Sequence, residues 1–223
     1  MNGGMKRVFK YMTNYSQRIL LYTLAFIVAM VFYLTLVSNG FSLSGLEEQI
    51  NYLPALFIAL GALMQMVYTF AYIPILSNME LSMGATRKEV ACGMVYAFCL
   101  ESIELCIIAI LLRFAIKDSF FLNEGEYAMA IIGVMFGTAG LGILIALLIE
   151  KFGKIAYYIA VAIVALLGGL VGGVSVALMD SFFIGKTFDI THICQIICIV
   201  GLVIYVISAA VYYAANRKRV VRV

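Results

Sequence analysis

The sequence predicts an all-α, polytopic membrane protein with six transmembrane helices, and three observations carry that prediction. Of its 223 residues, 65% are hydrophobic and 12% charged, against roughly 45–50% and about 25% in an ordinary soluble domain. Six apolar runs reach the length of about 20 residues that a helix needs to cross a bilayer. The basic residues gather on one side of those runs, which is how membrane helices are oriented. A soluble reading is excluded. The connections are too short to hold a further domain of about 100 residues or more, so any energy source is expected in an ion gradient or another chain.

The chain opens with an amphipathic segment over residues 1–18. Met5, Val8, Phe9 and Met12 recur at three- and four-residue spacing, while Lys6, Arg7, Lys10, Asn14, Gln17 and Arg18 take the other face. That pattern predicts a helix lying in the membrane interface. The six-helix domain occupies 19–216, with spans at Ile19–Ser38, Leu53–Leu76, Arg87–Ile116, Tyr127–Ile149, Ile155–Leu178 and Thr191–Ala215. No signal-peptide cleavage site follows the first run. A basic tail, 217–223, carries Arg217, Lys218, Arg219 and Arg222 and reads as an anchor near anionic lipid.

With both termini cytoplasmic, twelve basic residues fall inside (Lys6, Arg7, Lys10, Arg18, Arg87, Lys88, Lys151, Lys154, Arg217, Lys218, Arg219, Arg222) and two outside, Lys117 and Lys186. The outer loops are acidic. Only an even number of spans yields this split, and the protein is expected in the plasma membrane.

Between the second and third spans runs Ser77-Asn-Met-Glu-Leu-Ser-Met-Gly-Ala-Thr-Arg-Lys-Glu89. Ser77 with Glu80 and Thr86 with Glu89 both fit the S/T-x-x-E capping box, and Gly84 suits the left-handed turn that ends a helix. The segment predicts a short cytoplasmic helix, a sharp turn and a long helix entering the membrane. At 1.5 Å per residue that helix is about 45 Å long, so its foot should protrude from a hydrocarbon core of about 30 Å.

Pro74 permits a kink near the end of span two. Gly133 with Gly137 forms one G-x-x-x-G, and Gly168 with Gly172 and Gly169 with Gly173 form two more, all suited to close helix packing. The loop from Met179 to Ile190 is rich in Phe and belongs at the outer interface. Its Gly185-Lys186-Thr187 resembles the end of a phosphate-binding loop, but Asp180 stands where the first glycine belongs and no strand precedes it. Cys92, Cys99, Cys106, Cys194 and Cys198 lie in apolar runs without ligand spacing and read as reduced packing residues.

Glu101 and Glu104 share one face halfway along span three. Carboxylates at that depth cost roughly 2.5–3.5 kcal/mol in the membrane and must face protein or water. A structural pair, a polar patch in a substrate pathway and a proton-coupling pair all remain open. Arg113, two to three turns on, is placed to snorkel outward or to pair with an outer acid. His192 is the single histidine and has no nucleophile or metal-ligand constellation around it, so the chain itself is expected to be no enzyme and to bind no metal or cofactor.

The order of these elements, and the run Leu81-Ser-Met-Gly-Ala-Thr-Arg-Lys-Glu-Val90, resemble the permease subunit of a type-2 ABC exporter. The similarity is to the compact bacterial kind without large outer domains, associated with peptide-toxin export and antimicrobial-peptide resistance; the exporters of phenol-soluble modulins look closest. The resemblance implies that 1–18 is an elbow helix and that a coupling helix lies within 77–90. Met79, Glu80, Leu81, Met83, Gly84, Thr86, Arg87, Lys88 and Glu89 would engage an ATPase subunit that binds ATP and Mg. It further implies a second permease protomer, identical or different, and an amphipathic or hydrophobic substrate moved out of the cell past Glu101, Glu104 and Arg113. No nucleic-acid partner is expected. The alternatives are a proton-coupled transporter using Glu101 and Glu104, and a membrane scaffold or immunity protein.

Overall fold

A computed structural model of the chain describes residues 3–39, 50, 53–82, 86–116, 123–153, 155–159, 161–162 and 190–217. The long elements are all helices: α1 (Gly3–Asn39), α2 (Leu53–Ser82), α3 (Arg87–Ala115), α4 (Glu124–Phe152) and α5 (Ile190–Arg217). Four stretches among the described residues are long and apolar enough to cross a membrane: Phe57–Ile75, Arg87–Ala115, Glu124–Phe152 and Thr191–Asn216. The expected span Ile155–Leu178 lies outside the described residues beyond 162, as do the loop 179–189, its glycine pairs and the tail after Arg217.

The expected separate helix at 1–18 is corrected: α1 runs unbroken through Gln17, Arg18 and Ile19 to Asn39. No Gly or Pro interrupts residues 5–39, so nothing ends the helix at that boundary. Its apolar stripe does not serve a lipid surface. Val8, Met12, Ser16, Ile19, Thr23 and Ile27 are all buried, and Val8 packs onto Gly93 of α3, where even a Cβ would overlap it. Lys6, Arg7, Lys10, Asn14, Gln17 and Arg18 are exposed, on the face the periodicity gave them.

The short helix expected to start at Ser77 is likewise absent as a separate element, because α2 continues through Pro74 and Ser77 to Ser82. A cap satisfies N–H groups that lack a carbonyl one turn back. Within a running helix those groups are already bonded, so Ser77 and Glu80 have no terminus to cap. At the second box the expectation holds. The Thr86 N–H donates to Glu89 Oε2 at 2.9 Å, the Thr86 hydroxyl donates to the same oxygen at 2.8 Å, and α3 begins at Arg87. Asn123 N–H donates to Glu126 Oε2 at 3.1 Å at the start of α4. Gly153, at φ 68°, ends α4 with its N–H on the Ile149 carbonyl; that positive φ is why glycine stands there.

Contact order along the helices fixes their directions. Val8 meets Gly93, and Ser16 shares a crevice with Ala97 and Glu101, so α1 and α3 run parallel. Gly61 lies against Met135 and Gly142 against Thr69, so α2 and α4 are parallel to each other. Gly133 meets Ile197, Gly137 meets Gly201 and Gly140 meets Tyr205, so α4 and α5 are parallel too. The end at which α1 and α3 begin is called the base here, and the opposite end the top.

Two apolar clusters fill the bundle. The base cluster joins Val8, Met12, Met66, Phe70, Ile73, Met94, Phe98, Ile143, Tyr205 and Tyr212. The top cluster joins Ile27, Phe57, Leu105, Cys106, Tyr127, Ile131 and Met135. Between them on α1 to α4 lie Ser16, Gln65, Glu101, Ser102 and Thr138, a polar layer across the waist between the two apolar clusters.

Candidate functional site

The polar layer has two parts, and one of them is closed. Gln65 of α2 donates from Nε2 to Ser102 Oγ of α3 at 2.7 Å, and Ser102 donates to the Phe98 carbonyl at 2.8 Å. Thr138 of α4 reaches Gln65 Oε1 at 3.5 Å and donates to its own Val134 carbonyl at 2.9 Å. Thr69 returns its hydroxyl to the Gln65 carbonyl at 2.7 Å. Each polar atom of this group faces a partner, as burial among apolar helices requires. The group ties α2, α3 and α4 together at mid-height. Sequence reasoning missed it; the available signal was Gln65, an amide between Met64 and Met66 in a run of apolar residues.

The second part is open. One turn of α3 and the facing turn of α1 enclose a crevice lined by Met12, Tyr15, Ser16 and Ile19 of α1, Tyr68 of α2, and Ala97, Phe98 and Glu101 of α3. Its free volume is about 10 Å³, room for about one water molecule. Glu101 is 3% exposed and Ser16 is 7% exposed. Ser16 Oγ lies beside the Glu101 carboxyl yet completes no hydrogen bond of ordinary distance and angle, and Thr13 Oγ1, one turn back on α1, completes none either. The charged neighbour of Glu101 is another acid, Glu104, three residues on. No Lys or Arg among the described residues is paired with it.

Glu101 and Glu104, placed on one face by their spacing, differ in environment: the first is buried and the second half-buried. At the level of Ser16 and Glu101, α1 exposes Asn14, Gln17 and Arg18; Asn14 and Arg18 stand two residues either side of Ser16 and so face away from the crevice.

Arg113 neither reaches this layer nor projects freely. Its guanidinium stands 5.7 Å from the centre of the Tyr127 ring at the top of the bundle, a cation–π distance. Of the residues expected in the coupling segment, Thr86 and Glu89 are brought together, Arg87 is half-buried and Lys88 exposed at the base. Met79, Glu80 and Leu81 lie on the last turns of α2, and Met83 and Gly84 fall outside the described residues. The five cysteines are free thiols, Cys106 and Cys194 buried and the other three half-buried. The described residues contain no group of three or more His, Cys, Asp or Glu placed to hold a metal.

At the base lie Lys6, Arg7, Arg87, Lys88 and Lys151 together with Glu89 and Glu150, and at the top Glu124 and Glu126 together with Arg113, with Thr191 of α5 donating to Glu126. Comparison with protein-family models, with curated proteins and with solved structures returns no match.

Proposed function

We propose that the chain is the membrane permease subunit of an ATP-driven exporter, a six-span protein with both termini cytoplasmic that moves hydrophobic or amphipathic substrates. The observation that carries a transport role is the waist of the bundle. A buried carboxyl and an unpartnered hydroxyl face a crevice there, a costly arrangement that a purely structural bundle has no need of.

The six-span reading draws support from helix direction. α4 ends at the base and the parallel helix α5 starts at the top, which fits one further span crossing between them. The apolar run Ile155–Leu178 is long enough to do so. The excess of basic over acidic residues at the base fits a base that faces the cytoplasm. There the capped foot of α3, with Arg87 and Lys88, offers a charged, rigid contact for an ATPase subunit. The coupling role itself rests on the resemblance of Leu81–Val90 to exporter permeases.

The decisive experiment is recovery of the tagged protein from its native membrane in mild detergent, with partners identified by mass spectrometry. A P-loop ATPase in stoichiometric amount establishes the permease reading, and its reproducible absence from intact, folded protein overturns it. A second reading, a proton-coupled transporter, is favoured by the burial of Glu101 beside Glu104. It requires transport driven by a proton gradient without nucleotide.

A further inference from the structure

Four helices together locate the middle of the bilayer on this bundle. The stretches Phe57–Ile75, Arg87–Ala115, Glu124–Phe152 and Thr191–Asn216 have their midpoints at Met66, Glu101, Thr138 and Val203 to Ile204. The Gln65–Ser102 bond, the Gln65–Thr138 contact and the meeting of Gly137 with Gly201 bring those points level, at the waist. A hydrocarbon core of about 30 Å centred there extends about 15 Å to either side.

On α1 the same level is that of Ser16, which shares its crevice with Glu101. The outer face of α1 is hydrophilic at this depth, with Asn14, Gln17 and Arg18 all exposed. The same flank continues down through Lys10 to Lys6 and Arg7 at the base. Lysine near a membrane surface can snorkel to it, but Asn14 and Gln17 are too short, and Arg18 lies about 3 Å along the axis from the level of Ser16. Just above Arg18 the flank turns apolar, with Leu21, Tyr22 and Phe32 exposed.

Polar side chains at mid-bilayer have to face protein or water. Arg18 is turned away from Glu101, and α1 itself holds no Asp or Glu. The apolar run Ile155–Leu178 holds none either, so it offers Arg18 no counter-charge. A second α1 laid against this face would bring like charges together. Water satisfies all three side chains.

We propose that the outer face of α1 is the wall of a water-filled path, open at the base and closed just above the waist, that draws anions to the middle of the bilayer. Lys6, Arg7, Lys10 and Arg18 give the wall one sign of charge along its length, which raises the local concentration of anions. Arg18 stands at the inner end, where its planar guanidinium suits an oxyanion. On the transport reading above, the matching cargo is an anionic amphiphile with its head in the path and its apolar part in lipid. That naming falls with the transport reading, which the ATPase recovery tests; the path rests on depth and exposure and has a test of its own.

The test places one new thiol at a time in the full chain, as Asn14→Cys, Gln17→Cys, Leu21→Cys or Leu202→Cys, in nanodiscs of zwitterionic lipid. Two membrane-impermeant thiosulfonates are applied, one carrying a sulfonatoethyl group and the other a trimethylammonioethyl group. Peptide mass spectrometry separates the new thiol from the five native ones. Leu21, on the same flank just above the path, and Leu202, at waist depth on α5, are exposed and apolar and serve as lipid-facing references. Asn14→Cys and Gln17→Cys are expected to react at least about tenfold faster than either reference. Relative to a small free thiol, they should prefer the anionic reagent by about tenfold. Arg18→Gln changes an exposed side chain, so it should fold, and it should lower that preference about threefold in Gln17→Cys. Rates no faster than the references overturn the water-filled path. Equal preference for the two reagents, or a preference that Arg18→Gln leaves unchanged, overturns the selection of anions by this wall.

Discussion

Ser16 of α1 stands opposite Glu101 of α3 because the two helices keep one register over two turns. Val8 meets Gly93, and eight residues further along each chain the hydroxyl meets the carboxyl. The glycine makes this possible. With a larger residue at 93 the helices would separate at the base, and the crevice above would open. Gly93→Leu is therefore expected to destabilise the protein by about 1–3 kcal/mol, read as a lower unfolding midpoint in detergent; an unchanged midpoint would mean that this contact does not hold α1 against α3.

The α4–α5 seam should be the least tolerant surface in the molecule. A Cβ at Gly201 would overlap the Gly133 carbonyl, and one at Gly140 would come within 2.9 Å of the Tyr205 backbone. Gly201→Ala is expected to destabilise the protein by about 1–3 kcal/mol. Gly125→Ala, where nothing lies within 4 Å, should be neutral or slightly stabilising because alanine favours a helix. Heating in detergent with a thiol-reactive dye measures both, since Cys106 and Cys194 are buried and free. Equal midpoints for the two variants would count against the seam.

The waist network makes a different prediction. Ser102→Ala leaves the Gln65 amide without its 2.7 Å partner and should cost about 1–3 kcal/mol. Gln65→Met restores an apolar contact, so the double variant should be more stable than Ser102→Ala alone. Additive losses in the double-mutant cycle would show that the two side chains are not coupled.

At the foot of α3, Thr86→Ala removes the cap and should cost about 1 kcal/mol. The loss is local, so amide hydrogen exchange should accelerate about fivefold over Arg87–Val90 and stay unchanged at the waist. Uniform acceleration along α3 would mean that the cap holds more than its own turn.

Charge reversal at Arg87 and Lys88 tests the coupling role. If an ATPase subunit docks there, the paired change to Glu should lower recovery of that subunit by about tenfold, with membrane insertion intact. Unchanged assembly and transport would move the docking surface elsewhere.

What the sequence disclosed and what it withheld divide along a physical line. The Thr86–Glu89 box was legible because its partners are three residues apart, and the bounds of α3, α4 and α5 followed hydropathy to within a few residues. The fate of α1 was not legible. Val8 and Met12 at four-residue spacing look the same whether they rest on lipid or on Gly93, and only the continuation of that stripe through Ser16, Ile19, Thr23 and Ile27 hinted at a packed helix. Ser77 shows the converse. Its motif was real, but a capping signal means nothing where the helix is already under way. The Gln65–Ser102–Thr138 group draws one residue from each of three helices, so no local pattern could assemble it.

The parallel course of α4 and α5 has a consequence for how the protein is made. Neighbouring helices that run in opposite directions can close as a hairpin as soon as the second leaves the ribosome. Gly133, Gly137 and Gly140 cannot meet their partners in that way. Their face has to wait through the synthesis of about 64 further residues until Ile197, Gly201 and Tyr205 are in the membrane. The tightest joint of the finished bundle is therefore the last to form. A chain truncated before Ile190 should insert normally but leave a notched, unfilled face along α4, available to quality-control proteases or to the helix of another protein.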